Sequence, residues 1–312
     1  MSAPAASIVV CTRHRAESLA RCLESLRALD HPSYEIVVVD NSPGDPNTKN
    51  VAEAAAARYV DEPRGGLSVA RNTGALAAQG SIVAYVDDDC VADPAWLNVH
   101  AETLSDPAVG ASTGRILPVP LADATRQAYH DVMTEDLGGA PRRIGRDDPW
   151  WFEIANFAAL GLGGNMAFRR TLFERGLRFR PSLGLGAPIP GAEENNAFFM
   201  VIRDGYEVAY LPEAVVRHYG PNDLGDLRRR RVRMMRGGIA YMLMLLVEEP
   251  EYRPRTLRYM AEGLRGKERS WRPGRGGPTG PPRSELAAAA VRAPLDYLKA
   301  RRVDRRARAG AA

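Results

Sequence analysis

Hydrophobic and polar positions change period repeatedly along the first third of the chain. Short β-branched runs predict buried strands at residues 7–12, 34–40, 58–61, 81–86 and 109–115. Between them the apolar positions recur at helical spacing. Residues 16–29 place Leu19, Leu23 and Leu26 on one helix face, and 50–57, 67–78 and 94–104 read as further helices. Strands that are apolar throughout, alternating with helices, predict an α/β domain with a mainly parallel, Rossmann-like sheet and crossover helices on both faces.

The second half is less regular. Residues 124–137 read as a helix and 138–148 as an Arg-rich loop, followed by the aromatic cluster Trp150, Trp151 and Phe152. Such rings serve equally well to pack a core or to face a sugar ring. Gly191-Ala192-Glu193-Glu194-Asn195 opens a helix running to Arg203. Residues 227–236 are an Arg-rich helix continuing into the apolar stretch 241–247. Residues 266–283 form a Pro/Gly-rich linker, and 284–308 form a basic, Ala-rich helix interrupted near Pro294. The expected organisation is therefore an α/β domain over 1–222, a helical extension over 223–265, the linker over 266–283 and a basic helical tail over 284–312.

Within this pattern the strand at 81–86 ends in three consecutive carboxylates, Asp87, Asp88 and Asp89. Strand alternation sends Asp87 and Asp89 to one side and Asp88 to the other, so that two carboxylates can converge on a hard divalent cation carrying a diphosphate. The alternative is an acidic turn into the next helix, with Asp93 as N-cap and Pro94 as its first residue. Ligands of open α/β sheets bind at the carboxyl ends of the strands. Thr12 and Arg13 follow the first strand, and Asp40 ends the second. Asp40 can accept from a pyrimidine N–H or a ribose hydroxyl, Arg13 or Arg71 can face phosphate, and Asn72 can orient either.

Composition narrows the picture further. With 312 residues and 45% hydrophobic content the chain can bury one large core. Its net charge of +4 resides in the tail from Ser284 onward, so the body is not a polyanion binder by composition. Cys11, Cys22 and Cys90 lack the paired spacing of a zinc site or disulfide framework, as expected in a reducing compartment. Residues 1–6 have no basic leader region, and the longest apolar stretch, 239–247, is far shorter than the roughly 20 residues of a membrane span. A soluble cytoplasmic protein is expected, with peripheral contact at the inner membrane face as the sharper reading of the tail and a solubilising tail as the plainer one.

Four segments in order carry a family resemblance: Val-Cys-Thr-Arg-His-Arg after the first strand, Val-Val-Val-Asp-Asn-Ser after the second, Gly-Leu-Ser-Val-Ala-Arg-Asn-Thr-Gly at 66–74, and Tyr-Val-Asp-Asp-Asp at 85–89. Residues 7–104 resemble the family 2 glycosyltransferases, inverting enzymes of the GT-A fold. The resemblance implies that Thr12, Arg13, Asp40, Arg71, Asn72, Asp87 and Asp88 hold a nucleotide sugar, with a UDP- or dTDP-sugar as donor. It implies Asp89 as ligand of a divalent cation, Mn2+ or Mg2+; residues 205–219 resemble the strand pair that ends the family's catalytic domain at a histidine, which implies His218 as a second metal ligand or as a contact to the diphosphate. The segment 161–170 resembles the family's acceptor side, which implicates Gly164 and Asn165 beside Trp150 and Trp151. Glu194 stands where the family often has an Asp acting as general base, Glu193 precedes it, and Ala192 stands for a glycine. The acceptor would be a small molecule, a lipid-linked sugar or a polysaccharide, and not a nucleic acid. Two rivals lack their marks. A sugar-nucleotide-forming nucleotidyltransferase would want a Gly-rich loop and a Lys after the first strand. A non-catalytic nucleic-acid binder would want aromatic residues among the Arg run around Arg228.

Overall fold

A computed structural model describes residues 5–42, 46–119, 139–157, 160–220, 223–265 and 283–309. The strands β1 (Ala6–Thr12), β2 (Tyr34–Asp40), β3 (Arg58–Asp61) and β4 (Ile82–Val86) form where the apolar runs predict them. β1 lies parallel between β2 and β4, and β3 is parallel to β2. The crossovers are α1 (Ala16–Arg27), α2 (Pro46–Ala54) and α3 (Leu67–Ala77). Alternate residues feed opposite layers. Val9, Val37 and Val39 join the core shared with α3, while Ile8, Val10, Ile36 and Val38 pack with Leu19, Cys22, Leu23 and Leu26 of α1. A strand buried on both faces needs no polar alternation, which is why these runs read as continuous apolar stretches.

The sheet continues with β5 (Cys90–Ala92), β6 (Val109–Pro118), β7 (Arg142–Ile144), β8 (Asn165–Arg169) and β9 (Glu207–His218). Its order is β3-β2-β1-β4-β8-β6-β9-β5, with β7 paired to β9. The long β6–β9 ladder is parallel, whereas β8 is antiparallel to β4 and β6, and β5 and β7 are antiparallel to β9. The expected α/β architecture is therefore present, mostly parallel with antiparallel strands added.

Several local expectations are corrected. Residues 207–218 form one strand rather than a pair. Its register against β6 breaks between Gly114 and Arg115, opposite residues 211–215; Pro212, which cannot donate to a ladder, falls in that irregularity. The short β5 follows the carboxylates directly and delays the next helix, so α4 (Trp96–Thr103) begins after Asp93 and Pro94. Asp93 pairs with Arg217 instead of capping α4. β7 forms inside the expected loop, and the expected helix at 124–137 and most of the linker, 266–282, lie outside the described residues.

The remaining helices are α5 (Trp151–Asn156), α6 (Arg170–Glu174), α7 (Glu193–Arg203), α8 (Leu224–Glu248), α9 (Arg253–Leu264) and α10 (Arg283–Ala309). α10 runs without interruption through Pro294, contrary to the break expected there. It packs along α8. Ala293, Tyr297 and Ala300 share a core with Ala240, Tyr241, Met244 and Leu245 of α8. Asp304 pairs with Arg180 at 2.7 Å, and Asp296 pairs with Arg236 at 2.6 Å. The tail is thus packed against the body rather than held apart from it.

Candidate active site

The parallel neighbours β1, β2 and β4 end at the same edge, and their terminal residues meet there. The three carboxylates leave β4 in a turn closed by the Cys90 N–H, which donates to the Asp87 carbonyl at 3.0 Å. Asp88 turns inward and is 5% exposed. It accepts from the Thr12 hydroxyl at 2.6 Å and from Arg15 at 3.1 Å. Burial pushes its carboxyl up to about 6, with the Thr12 hydrogen bond opposing and the neighbouring Asp89 reinforcing the rise. Arg15 also reaches Asp89, at 3.0 Å, so one guanidinium bridges two of the three carboxylates.

Asp89 faces the end of β9. His218 Nε2 lies 3.2 Å from its Oδ1. Burial works against its charge, but the His218 hydrogen bond and the nearby His218, Arg15 and Arg230 outweigh burial and hold the carboxyl below its usual range. Cys90 is the direct cross-strand partner of His218 in the β5–β9 ladder. Atoms of Asp89, Cys90 and His218 all lie within 4.8 Å of one another. Burial raises the Cys90 thiol well above its ordinary value, and the carboxylate oxygen and imidazole beside it are donors of the kind that suits Mn2+. His218 Nδ1 accepts from the Gly220 N–H at 3.0 Å. Ligation through Nε2 therefore requires that amide to release Nδ1 to carry the ring proton.

Arg71 stands at the other side of the carboxylates. It rises from α3 and is 2% exposed, with Nη1 donating to Glu193 Oε1 at 2.8 Å, Nη2 donating to the Gly163 carbonyl at 3.0 Å, and Asp87 Oδ1 at 3.4 Å. Burial opposes its charge, yet Glu193 and Asp87 restore it and the guanidinium stays cationic. A Cβ at Gly163 would lie 2.6 Å from Arg71 Nη2, and one at Gly164 would lie 2.7 Å from Asp87 Oδ2. A side chain at either position would push into the ion cluster, so glycine lets this loop close over it with Arg71 and Asp87 in place. Glu193 and Glu194 open α7 and are both buried. Glu193 Oε2 has no hydrogen-bond partner among the described residues. Glu194 lies near enough to Arg71 to support its charge. Ala192, just ahead of them, adopts the left-handed φ of 66°, the conformation that makes glycine the easier residue at this place.

At the end of β2, Asp40 is fully buried. Its Oδ1 accepts from the backbone N–H of Ser42 at 2.8 Å and its Oδ2 from the Tyr59 hydroxyl at 3.0 Å. Asn41 donates to the carbonyls of Glu62 at 2.8 Å and Arg64 at 2.7 Å, and it accepts from Gly66 N–H at 3.0 Å. These bonds fasten the β2 end to the loop that enters α3. Arg13 is exposed beside them.

The structure thus brings Thr12, Asp87, Asp88, Asp89, Arg71, Glu193, Glu194, Gly164 and His218 into one region, but other expected site residues serve packing. Asn72 is engaged at both ends of its amide by the Phe179 backbone, at 2.7 and 2.8 Å. Asn165 is buried and bonds the carbonyls of Arg115 and Ala214 while accepting from Trp96 and His100. Trp151 stacks on Phe199 with ring centroids 5.9 Å apart, and Trp150 lies beneath Arg258. Sequence reasoning missed Arg15 and Gly163. Arg15 carries a faint signal, being two residues past Arg13 in the same strand-end segment; Gly163 falls in the segment 161–170, but that its carbonyl receives Arg71 shows only in the fold.

The carboxylate–imidazole pair and the buried Arg–Glu pair stand at the strand ends of a mixed, mostly parallel sheet flanked by helices, the fold of the GT-A class of sugar-transfer enzymes. Solved structures agree on the fold. The mannosyltransferase PcManGT of Pyrobaculum calidifontis, in complex with GDP-Man and Mn2+, has a TM-score of 0.58 at 20% identity, covering 96% of this chain and 88% of its own. The glucosyl-3-phosphoglycerate synthase of Mycobacterium tuberculosis has a TM-score of 0.50 at 17% identity, covering 77% and 79%. The chain belongs to the family described as Glycosyl transferase family 2, whose sequence profile matches residues 7–177. An N-acetylglucosaminyltransferase of Rhizobium leguminosarum bv. viciae is 26% identical over 77% of this chain and 56% of its own length. The succinoglycan biosynthesis protein ExoM of Rhizobium meliloti is 28% identical over 74% and 72%. A glycosyltransferase of Haloferax volcanii, AglE, is 30% identical over 36% of this chain and 40% of its own. The chain spans about half the length of the first of these curated relatives that it matches.

Proposed function

We propose that the protein transfers a sugar from a nucleoside-diphosphate donor, a UDP- or dTDP-sugar, to an acceptor hydroxyl with inversion at the anomeric carbon. The acceptor is a small molecule, a lipid-linked sugar or a polysaccharide. The observation that carries this reading is the convergence at one sheet edge of Asp89 with His218 and of Arg71 with Glu193. Family membership supports it, as do the nucleotide sugar or nucleotide and the Mn2+ in two structures that share the fold.

In this reading Thr12 and Arg13 stand at the nucleotide end of the edge, Asp40 holds the end of β2 in shape beneath them through Ser42 and Tyr59, and Asp87 turns its partly exposed carboxylate to the ribose. Asp89 and His218 would hold a divalent cation, Mn2+ or Mg2+, which neutralises charge on the departing diphosphate. Arg71 fixes Glu193 through a buried ion pair, and so fixes the first turn of α7. Glu194, the next residue, accepts the proton of the acceptor hydroxyl as that oxygen attacks the anomeric carbon opposite the leaving diphosphate. A single displacement inverts the centre.

The experiment is a panel of sugar nucleotides, with and without Mn2+, scored by thermal shift and by turnover. A ligand that binds only the folded state raises the melting midpoint. One donor class should do so in a Mn2+-dependent way, and Asp89→Asn should abolish that shift and turnover while the unliganded variant still unfolds in one cooperative transition. Full activity in excess chelator, or an unaltered donor shift in Asp89→Asn, would refute the metal-assisted mechanism.

A further inference from the structure

The outward face of α10 is not explained by sugar transfer. Its inward face is small and acidic: Ala289, Ala293, Asp296, Tyr297, Ala300 and Asp304 are buried. On the opposite side Val291, Leu295 and Leu298 are 76%, 61% and 51% exposed. Their i, i+4, i+7 spacing puts them in one stripe, which continues into Arg302 one turn later. Arg292 and Lys299 flank the stripe on one side and Arg301 and Arg305 on the other, all of them exposed. Every acidic residue of the helix is turned to a cation of the body: Glu285 to Arg228 at 2.9 Å, Asp296 to Arg236 at 2.6 Å and Asp304 to Arg180 at 2.7 Å. The outer face is left with apolar and positive groups only. A cleft of about 350 Å3 lined by Arg228, Arg229, Val232, Arg233 and Arg236 lies along α8. Arg228 and Arg236 are the residues that tie α8 to α10, so the cleft runs beside the seam between the two helices.

We propose that this face docks on an anionic lipid surface, with Val291, Leu295 and Leu298 entering the acyl boundary and the flanking cations of α10, joined by Arg229 and Arg233 of the cleft, taking phosphate head groups. The charge pattern selects this occupant. A second copy of the chain, packed face to face, would oppose cations to cations. A nucleic acid would leave three large aliphatic side chains against water and phosphate. A bilayer surface satisfies both components at once, because apolar burial and attraction of Lys and Arg to anionic lipid act in the same plane.

The test is co-sedimentation of the full chain with vesicles of phosphatidylcholine alone and of phosphatidylcholine mixed with phosphatidylglycerol. Partitioning onto the mixed vesicles only is expected. Leu295→Ser with Leu298→Ser, and separately Arg292→Gln with Arg302→Gln, should each weaken it by about tenfold or more. These side chains point outward, so melting midpoints should stay near that of the parent. Leu295→Ala with Leu298→Ala, which keeps helix propensity, gives the same reading if the serine variant melts early. Absence of binding to anionic vesicles overturns the proposal, and so does binding that the apolar variants leave unchanged. A concentration-dependent dimer that Leu295→Ala with Leu298→Ala dissociates, without vesicle binding, would overturn it in favour of a self-interface.

Discussion

At the scale of single residues, the two adjacent glutamates at the start of α7 have unlike surroundings. Glu193 is held by Arg71 in an ion pair whose side chains are only 3% and 7% exposed. Removing the charge from one member of such a pair leaves the other buried and uncompensated. Glu193→Gln is therefore expected to lower folding stability by about 1–3 kcal/mol, since an amide still accepts from Arg71 but no longer neutralises it. Glu194→Gln should leave the urea midpoint nearly unchanged and cut turnover at saturating acceptor by about a hundredfold or more. Unfolding curves and turnover of both variants decide the assignment: a larger loss of turnover in Glu193→Gln, at conserved stability, would move the base to Glu193.

At the scale of elements, the site depends on how closely α3 lies on the sheet. Gly74 faces β1, and a Cβ there would come within 2.3 Å of Val9 Cγ1 and 3.2 Å of Val39. A glycine inside a helix costs stability by itself, so its presence is explained by the close approach it permits. That approach sets the height from which Arg71, one turn earlier, reaches Glu193 and Asp87. Gly74→Ala should overpack this contact and destabilise by about 1–3 kcal/mol despite alanine's better helix propensity. A rise in the urea midpoint would show that the α3–β1 contact has room to spare. The same logic holds where Gly237 of α8 lies against the Pro190 carbonyl, 2.3 Å from the position of an added Cβ. α8 thereby supports the loop that enters α7.

At the scale of the whole molecule, the helical C-terminal part stabilises the catalytic layer from outside. α10 covers α8, and α8 touches the loop before the two glutamates. Deleting residues 283–312 would expose the face of α8 around Ala240 and Met244 and leave Arg180 and Arg236 without Asp304 and Asp296. The truncated chain should lose stability on the order of 3–5 kcal/mol, read as a lower urea midpoint, with loss of turnover following from loss of folded protein. Unfolding at the parent's midpoint would make α10 a surface appendage. No helix among the described residues is long and apolar enough to cross a membrane, so the lipid contact proposed for α10 is one of surface docking.

The local pattern alone determined the strand–helix alternation, the parallel half of the sheet, the position of the carboxylates at the end of β4 and the family. Each of these rests on short-range signals: β-branched runs, helical periodicity and contiguous motifs. Only the tertiary structure decided which polar groups face one another. Arg71 reaches Glu193 across 122 positions in the chain, and nothing in a short window of sequence carries such a pairing. Asn72 and Trp151 read as site residues because their side chains can bind ligands, and Asn165 because its segment resembles the family's acceptor side; distant backbone and ring partners engage them instead. The tail read as separate because the segment before it is rich in Pro and Gly. Its alanines and three acidic residues fit α8, Arg180, Arg228 and Arg236, and that fit exists only once both helices are side by side.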